Sequence, residues 1–222
     1  MKLSQLRSRC RPHLWYQLYW VVYLIWFFWL DLTVTAPKYI LHSPLDDLIP
    51  FNEWFVLPYC SWFLLLAGVT AALWWCDTAT YDKLCLTMFS GMTFCLIVYM
   101  ILPNGLELRP AVETLGRDNP ALRIMQLLWK ADAAVNVCPS IHCQSSACMA
   151  MAFSHSKLTE GKPLRKVLAW VVGGAESACP PCSPSSTRSL MWPAAWRWLL
   201  CGYRWCTARC GHFIEQIAKN CP

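Results

Sequence analysis

Long apolar runs separated by short polar segments dominate the sequence. A helix of about 20 residues rises about 30 Å, enough to cross the hydrocarbon core of a bilayer, and three runs have roughly this length. A fourth run is weaker and a fifth is interrupted. The pattern predicts an all-α fold, a polytopic transmembrane helix bundle of four to five spans, near residues 14–32, 54–76, 84–102, 141–155 and 167–175.

The first run has two possible interpretations, an uncleaved membrane anchor and a secretory signal peptide. Ala36 is the small residue best placed for a cleavage site, but Pro37 follows it directly. The sequence therefore favours an anchor. Beyond the spans, a further helix is predicted in the loop between the third and fourth runs, from Pro120 to Lys130.

Composition agrees with a chain solvated by lipid. Because 56% of the 222 residues are apolar and 14% are charged, too few charges are present to cover a soluble domain of this size. The net charge of +6 resides largely in short basic stretches beside apolar runs, which favours a membrane surface and argues against nucleic acid as a partner. Eight of the 14 cysteines lie before residue 150, several inside apolar runs, and we expect no disulfides there.

The basic stretches also predict an orientation. One stretch, within the segment 1–13, precedes the first span, and the other, Lys157 to Lys166, follows the fourth span. Four crossings place both stretches on the cytoplasmic side, as the positive-inside rule requires. The segment from Pro103 to Pro139 is then extracytoplasmic, and the expected location is the plasma membrane.

Two short motifs at the ends of this outer segment carry the candidate chemistry. Arg109, in the segment Asn104–Pro110, supplies a planar cationic fork suited to phosphate oxygens. Ser140, at the start of the fourth run, offers a hydroxyl beside the N–H groups of a helix start. His142 can exchange a proton near neutral pH. Together they predict a phosphate-handling site at one membrane face.

Each residue also has a purely structural interpretation. Arg109 beside a span is typical of an interfacial anchor, and His142 near a helix start is typical of a hydrogen-bonded cap. Ser140 before an apolar run is an ordinary N-cap. The occurrence of both motifs at one depth is what favours the phosphate site.

These motifs resemble those of the type 2 phosphatidic acid phosphatase superfamily, membrane phosphatases of six helices that include relatives of inositol phosphorylceramide synthase. Arg109-Pro110 resembles the end of the first family motif, and Pro139-Ser140-Ile141-His142 resembles the second, Pro-Ser-Gly-His. The resemblance implies that Arg109 and Ser140 bind the phosphate and that His142 protonates the leaving alcohol. It implies no metal and no other cofactor, with a membrane lipid phosphate as substrate.

The chain departs from the family pattern at three places. Leu102 occupies the position of the first-motif lysine, and Ile141 replaces the glycine of the second motif, which should crowd a close backbone approach. The third motif, which carries the nucleophilic His and its Asp, is absent where the fifth helix should end. Residues 176–222 there have a different composition, rich in Cys, Pro, Trp and Arg.

A shifted reading frame accounts for this tail. When the last base of each codon is joined to the first two bases of the next from Pro184 onward, the codons can encode Lys-Gln-His-Ser-Val-x-Asp-Val. The same shift permits an apolar continuation over 176–183 and a small-residue apolar run over 192–199. We therefore expect residues 176–222 to be out of frame relative to an ancestral phosphatase of residues 14–175.

The tail also permits a zinc site, because Cys179 and Cys182 have metal-ligand spacing and further Cys and His residues follow. No second Cys-x2-Cys pair is present, so the out-of-frame tail is preferred. The functional prediction is a membrane phosphatase or phosphotransferase of the phosphatidic acid phosphatase type, catalytically incomplete in this chain. The alternative is a non-catalytic membrane protein, either a phosphate-binding remnant or a structural protein.

Overall fold

The computed structural model describes residues 14–40, 51–105, 109–110, 115–131 and 135–178. The fold is mostly helical, as predicted, with a short two-stranded parallel sheet in which Tyr39 pairs with Asn104. In chain order the elements are α1 (Leu14–Thr33), β1 (Tyr39–Ile40), α2 (Val56–Cys76, preceded by a 3-10 turn at Glu53–Phe55), α3 (Thr78–Ile101), β2 (Asn104–Gly105), α4 (Pro120–Ala131), α5 (Ile141–Ser154) and α6 (Pro163–Ala178).

The third predicted span, 84–102, begins too late. Helix α3 starts at Thr78, because the Asp77 carboxylate accepts hydrogen bonds from the Thr80 backbone N–H and from the Thr80 hydroxyl, at 3.3 and 2.7 Å. An aspartate N-cap satisfies a backbone donor that a helix start leaves unpaired. Asp82 and Lys83 interrupt the apolar run, so the uncharged pattern predicted a helix that begins only after them.

Two helical segments in the described part of the chain are long and apolar enough to cross a membrane, Glu53–Cys76 and Thr78–Ile101. Helix α1 is also 20 residues long. It is rich in Trp and Tyr and contains Gln17 and Asp31, so its apolar character is weaker than its length suggests. Two segments in the described residues therefore combine the length and the apolarity that a membrane span needs, fewer than the four to five predicted.

Helices α5 and α6 are shorter than a bilayer core. Their 14 and 16 residues rise about 21 and 24 Å, against a hydrocarbon thickness of about 30 Å. Helix α5 occupies almost the whole predicted run 141–155. Helix α6 is continuous from Pro163 to Ala178, so the interrupted run predicted at 167–175 is longer at both ends.

The core lies where α3 meets α1, α5 and the inner face of α2. Met88, Met92 and Leu96 of α3 are almost completely buried, and Cys148 of α5 packs in the same cluster. Helix α1 packs on α3 through aromatic rings, with Tyr19 stacked on Phe89 at 4.1 Å between centroids. The Tyr19 hydroxyl also donates to the Phe89 carbonyl, at 2.9 Å.

The outer surface of the bundle is apolar. Side chains of α1, α2, α3 and α6 that point away from the core are large and exposed, among them Ile25 (67%), Leu64 (76%), Ile101 (69%) and Val171 (59%). Many exposed large apolar side chains on several helices are typical of contact with a membrane or with another protein. The seven cysteines in the described residues form no disulfide, as expected.

Candidate functional site

Asn104 joins the two motif-bearing segments. It follows α3 and the proline that ends that helix. Its side-chain oxygen accepts hydrogen bonds from the backbone N–H groups of Val137 and Cys138, at 3.1 and 2.8 Å, and its side-chain amide donates to the Cys138 carbonyl, at 2.6 Å. The Asn104 carbonyl accepts a further bond from the Asn136 N–H. The loop that leads into α5 is therefore fixed to the end of α3.

Two further contacts hold the same junction. The Tyr99 hydroxyl, completely buried in α3, donates to the Pro139 carbonyl just before Ser140. Gly105 forms an antiparallel bridge with Val135. Because buried backbone groups in this turn find partners in α3 and β2, the turn has a defined conformation at the start of α5.

Ser140 is the N-cap of α5. Its backbone is extended, with φ −75° and ψ 119°, and its hydroxyl oxygen accepts a hydrogen bond from the Cys143 N–H at 3.3 Å. The structural interpretation of Ser140 is thus observed. A hydroxyl that accepts from a backbone amide still has a proton to donate, so capping is compatible with binding an anion at the helix start.

His142 lies in the first turn of α5 against two aromatic rings of α2. Its imidazole centroid is 4.9 Å from that of Tyr59 and 4.4 Å from that of Trp62. Trp62 is held in turn, because its indole N–H donates to the Ser145 hydroxyl at 3.2 Å. Ser145 lies on the next turn of α5. Trp62 of α2 is thus hydrogen-bonded to the same helix that carries His142, and its ring fixes the orientation of the imidazole.

Arg109 is anchored on α4. Its guanidinium donates to the Trp129 carbonyl at 3.2 Å and lies over the indole ring, 5.8 Å from its centroid. This is a cation–π arrangement, which leaves a half-buried cation between the outer loop and α4.

Helix α4 is docked on the first turn of α2. Met125 packs on Val56, and both side chains are completely buried. The buried carboxylate of Glu53 accepts a hydrogen bond from the Asn119 side chain at 2.7 Å and pairs with Arg117 at 3.2 Å. The helix that holds Arg109 is therefore fixed to the same end of α2 that contacts His142.

The three predicted site residues thus lie on elements that meet at one end of the bundle. Ser140 caps α5 and His142 lies in its first turn, while the Arg109 guanidinium contacts Trp129 of α4. Sequence reasoning missed Asn104 and Trp62 as positioning residues. A polar residue directly after Pro103 was an available signal for Asn104, whereas nothing in the sequence distinguishes Trp62 from the other Trp residues of α2.

The departures from the family pattern have different consequences. The Ile141 side chain is 8% exposed and packs in the main core cluster. Leu102 is half-exposed, and its carbonyl accepts a hydrogen bond from the Asn104 side chain at 3.0 Å.

Burial raises the pKa of the Cys138 thiol, which therefore stays protonated at neutral pH.

Other expectations concern residues outside the described part of the chain. The basic segment 1–13, the zinc ligands Cys179 and Cys182 and the shifted-frame codons from Pro184 onward all lie there. Within the described residues, no group of three or more His, Cys, Asp or Glu side chains is arranged to hold a metal ion. No family model matches the chain, and no curated protein or solved structure is significantly similar to it.

Proposed function

We propose that this chain is an integral plasma-membrane protein of the phosphatidic acid phosphatase type. Arg109, Ser140 and His142 bind the phosphate ester of a lipid-like substrate at the extracytoplasmic face. Helices α1, α2, α3 and α5 cross the bilayer and α6 enters it, with the N-terminus in the cytoplasm. No metal or other cofactor takes part in this scheme.

The apolar outer surface supports the membrane assignment. Large apolar side chains are exposed on α1, α2, α3 and α6, and two helices have sufficient length and apolarity to cross a bilayer. Helix α5 needs little contact with lipid, because its side chains are buried against neighbouring helices over most of its length. A short helix is tolerated in a bilayer where protein surrounds it.

The hydrogen bonds of Asn104 are the observation that carries the proposal. They hold the start of α5, with Ser140 and His142, against the end of α3, from which the chain continues to Arg109. A phosphate site assembled from two separate motifs requires such a junction, because its donors must converge without reorganisation.

The chemistry divides among the residues by type. Arg109 neutralises phosphate oxygens, the Ser140 hydroxyl and the N–H groups of the first turn of α5 add donors, and His142 gives a proton to the leaving alcohol oxygen as the P–O bond breaks. The bond to phosphorus must form from a second histidine, which the shifted frame supplies and this chain does not. We therefore propose that the chain binds lipid phosphates and does not turn them over.

The non-catalytic alternative has support of its own. The Ser140 hydroxyl caps α5, and the Arg109 guanidinium is engaged with the Trp129 carbonyl and ring. Both contacts stabilise loops with or without a substrate. Under this alternative the chain is a structural membrane protein, and neither residue affects phosphate binding.

Phosphate release from a lipid phosphate monoester in vesicles distinguishes these functions. The comparison uses this chain, a chain with its frame restored after Ala175, and His142→Ala in both. The restored chain should release phosphate, and His142→Ala should lower its kcat about 100-fold or more, since general acid catalysis contributes at least that much. This chain should bind the lipid phosphate with no turnover.

Two matched controls test the site assignment. His155→Ala removes a histidine at the other end of α5 and should leave kcat unchanged, because the His155 ring bonds to Met151 and Ser154 about 20 Å along the helix from His142. Asn104→Ala should lower kcat/KM in the restored chain, whereas Asn52→Ala, which removes the cap of the 3-10 turn, should not. Phosphate release by this chain that survives His142→Ala refutes the proposal.

A further inference from the structure

A second candidate site lies between α2, α5 and α6, away from His142. It is a cavity of about 380 Å³ with an almost entirely apolar lining, which includes Leu65, Val69, Met149, Phe153, Leu168 and Val172. Its α5 residues extend from Ser146 to Phe153, so its far end is about 16 Å along the helix axis from His142. The cavity therefore extends along α5 away from the proposed phosphate-ester site.

One cation lines this cavity. Arg165, in the first turn of α6, is exposed, and its guanidinium donates to the Leu158 carbonyl at 3.2 Å. Lys157 and Lys162 of the connection from α5, and Lys166 of α6, are exposed as well, against the acids Glu160 and Asp77, whose carboxylate accepts from the Lys157 N–H. The segment around Arg165 therefore has a net positive charge.

A close helix contact bounds the cavity. At Gly173 a Cβ atom would lie 2.8 Å from the Ala150 Cβ and 3.2 Å from the Ser146 carbonyl oxygen, so α6 approaches α5 only because this residue is glycine. A Cβ at the next residue, Gly174, would meet no atom within 4 Å. Ser146 also lines the cavity, and its buried hydroxyl has no hydrogen-bond partner among the described residues.

The chemistry of the slot selects an occupant. Ligand cavities run from about 300 to 1,000 Å³, and a volume near the lower end accepts one hydrocarbon chain instead of a whole diacyl lipid. A neutral apolar ligand would make no use of Arg165 and its lysine neighbours. An anionic head group would, because basic residues at a membrane surface attract anionic lipids.

We propose that this cavity binds one acyl chain of an anionic membrane phospholipid, whose net negative head group pairs with Arg165 at the cytoplasmic face. The site is distinct from that of Arg109, Ser140 and His142, which handles substrate at the other face. It rests on the membrane placement proposed above, and it does not depend on the phosphate-ester chemistry. Its role is to fill the gap between α6 and the rest of the bundle.

Native mass spectrometry of the full chain, titrated in detergent with dioleoyl phosphatidylglycerol or dioleoyl phosphatidylcholine, tests the proposal. The wild-type chain should bind phosphatidylglycerol about fivefold more tightly, as one basic contact to an anionic lipid provides. Arg165→Gln should abolish this preference. Lys166→Gln removes the same charge one position away, outside the cavity lining, and should retain it.

Disrupting the helix contact that bounds the cavity provides a second test. Gly173→Leu should push α6 away from α5 and weaken binding of both lipids, whereas Gly174→Leu, where a Cβ meets no atom within 4 Å, should not. Equal affinity for the two lipids would overturn the proposal, and so would equal effects of Arg165→Gln and Lys166→Gln. Phosphatidylglycerol binding that appears only after residues 179–222 are removed would also overturn it, since the tail would then be the occupant. Arg165 is exposed, so its variant should fold even if Gly173→Leu does not.

The controls separate this inference from the proposed function. His142→Ala should leave phosphatidylglycerol affinity unchanged, so loss of the phosphate-ester site has no bearing on the lipid cavity. Extraction of the chain from membranes by alkaline carbonate would defeat the membrane placement and this inference together. Retention in the membrane with no preference for phosphatidylglycerol defeats the lipid cavity alone.

Discussion

Helices α2 and α3 follow each other in the chain and both have the length and apolarity of a membrane span, yet they differ in burial. In the most apolar stretch of the segment Glu53–Cys76, 17% of the residues are buried, against 56% in that of Thr78–Ile101. Helix α3 is enclosed by α1, α2 and α5, whereas α2 turns most of its surface outward. Apolar composition therefore indicates which segments suit a bilayer and leaves open which segment forms the centre of the bundle.

Small and polar side chains distinguish the central helix. A Cβ atom at Gly91 of α3 would lie 2.1 Å from the Gln144 side-chain nitrogen, so the glycine makes room for a buried glutamine of α5. That side-chain amide lies near the Thr87 and Met88 carbonyls, at 3.5 and 3.4 Å. Close approach through small residues and polar bonds between helices are typical of packing inside a bilayer, where burial from water supplies no driving force.

The largest expected difference comes from the same substitution in the two helices. Leu96→Ala in α3 opens a cavity at a completely buried position and should destabilise the fold by about 2–4 kcal/mol. Leu64→Ala in α2 changes a side chain that is 76% exposed and should cost about 0.5 kcal/mol or less. Unfolding in mixed micelles measures both, and similar losses would contradict the difference between the two helices.

Glycine-to-alanine substitutions should change the free energy of unfolding in opposite directions in the two helices. Gly91→Ala in α3 places a methyl group against Gln144 and should destabilise by about 1–3 kcal/mol. Gly68→Ala in α2, where no atom lies within 4 Å, should stabilise by up to about 1 kcal/mol through helix propensity. Thermal unfolding of the two variants provides the measurement. A stable Gly91→Ala would mean that Gln144 moves at little cost.

A smaller effect is expected at the turn between α2 and α3. Asp77 is buried, and burial alone would raise its pKa, but hydrogen bonds from the Lys157 backbone N–H, the Thr80 hydroxyl and the Thr80 N–H lower the pKa below 3.8. The ionised carboxylate thus stabilises the fold above about pH 4, and this contribution disappears as the pH falls through the lowered pKa.

Asp77→Asn should therefore cost about 1 kcal/mol at pH 6, because an amide nitrogen replaces the carboxylate oxygen that accepts from the Lys157 N–H and the Thr80 hydroxyl, and the cost should shrink below pH 4. Denaturant unfolding at pH 3, 4, 5 and 6 follows it. Asp118→Asn is the control, because Asp118 pairs with Arg123 on the exposed surface, where solvent screens the interaction. Equal pH profiles for the two variants would contradict a special role for the buried turn.

Local sequence determined most of the helices. Apolar runs predicted α1, α2, most of α3 and α5, and Pro120 marked the start of α4, as observed. The start of α3 was missed because a cap acts through hydrogen bonds and not through apolarity. Motif spacing predicts Arg109, Ser140 and His142 as candidate site residues, whereas it does not predict their contacts with α2 and α4.

The sequence by itself determined the apolar segments, the basic stretches and the residue types able to handle a phosphate, because these depend on composition and on spacing over a few residues. The tertiary structure alone decided which of two similar helices is central, how Asn104 ties two segments more than 30 residues apart, and where Trp62 meets His142. Such contacts depend on the shapes and polar groups of distant surfaces, and no local pattern records which surfaces meet.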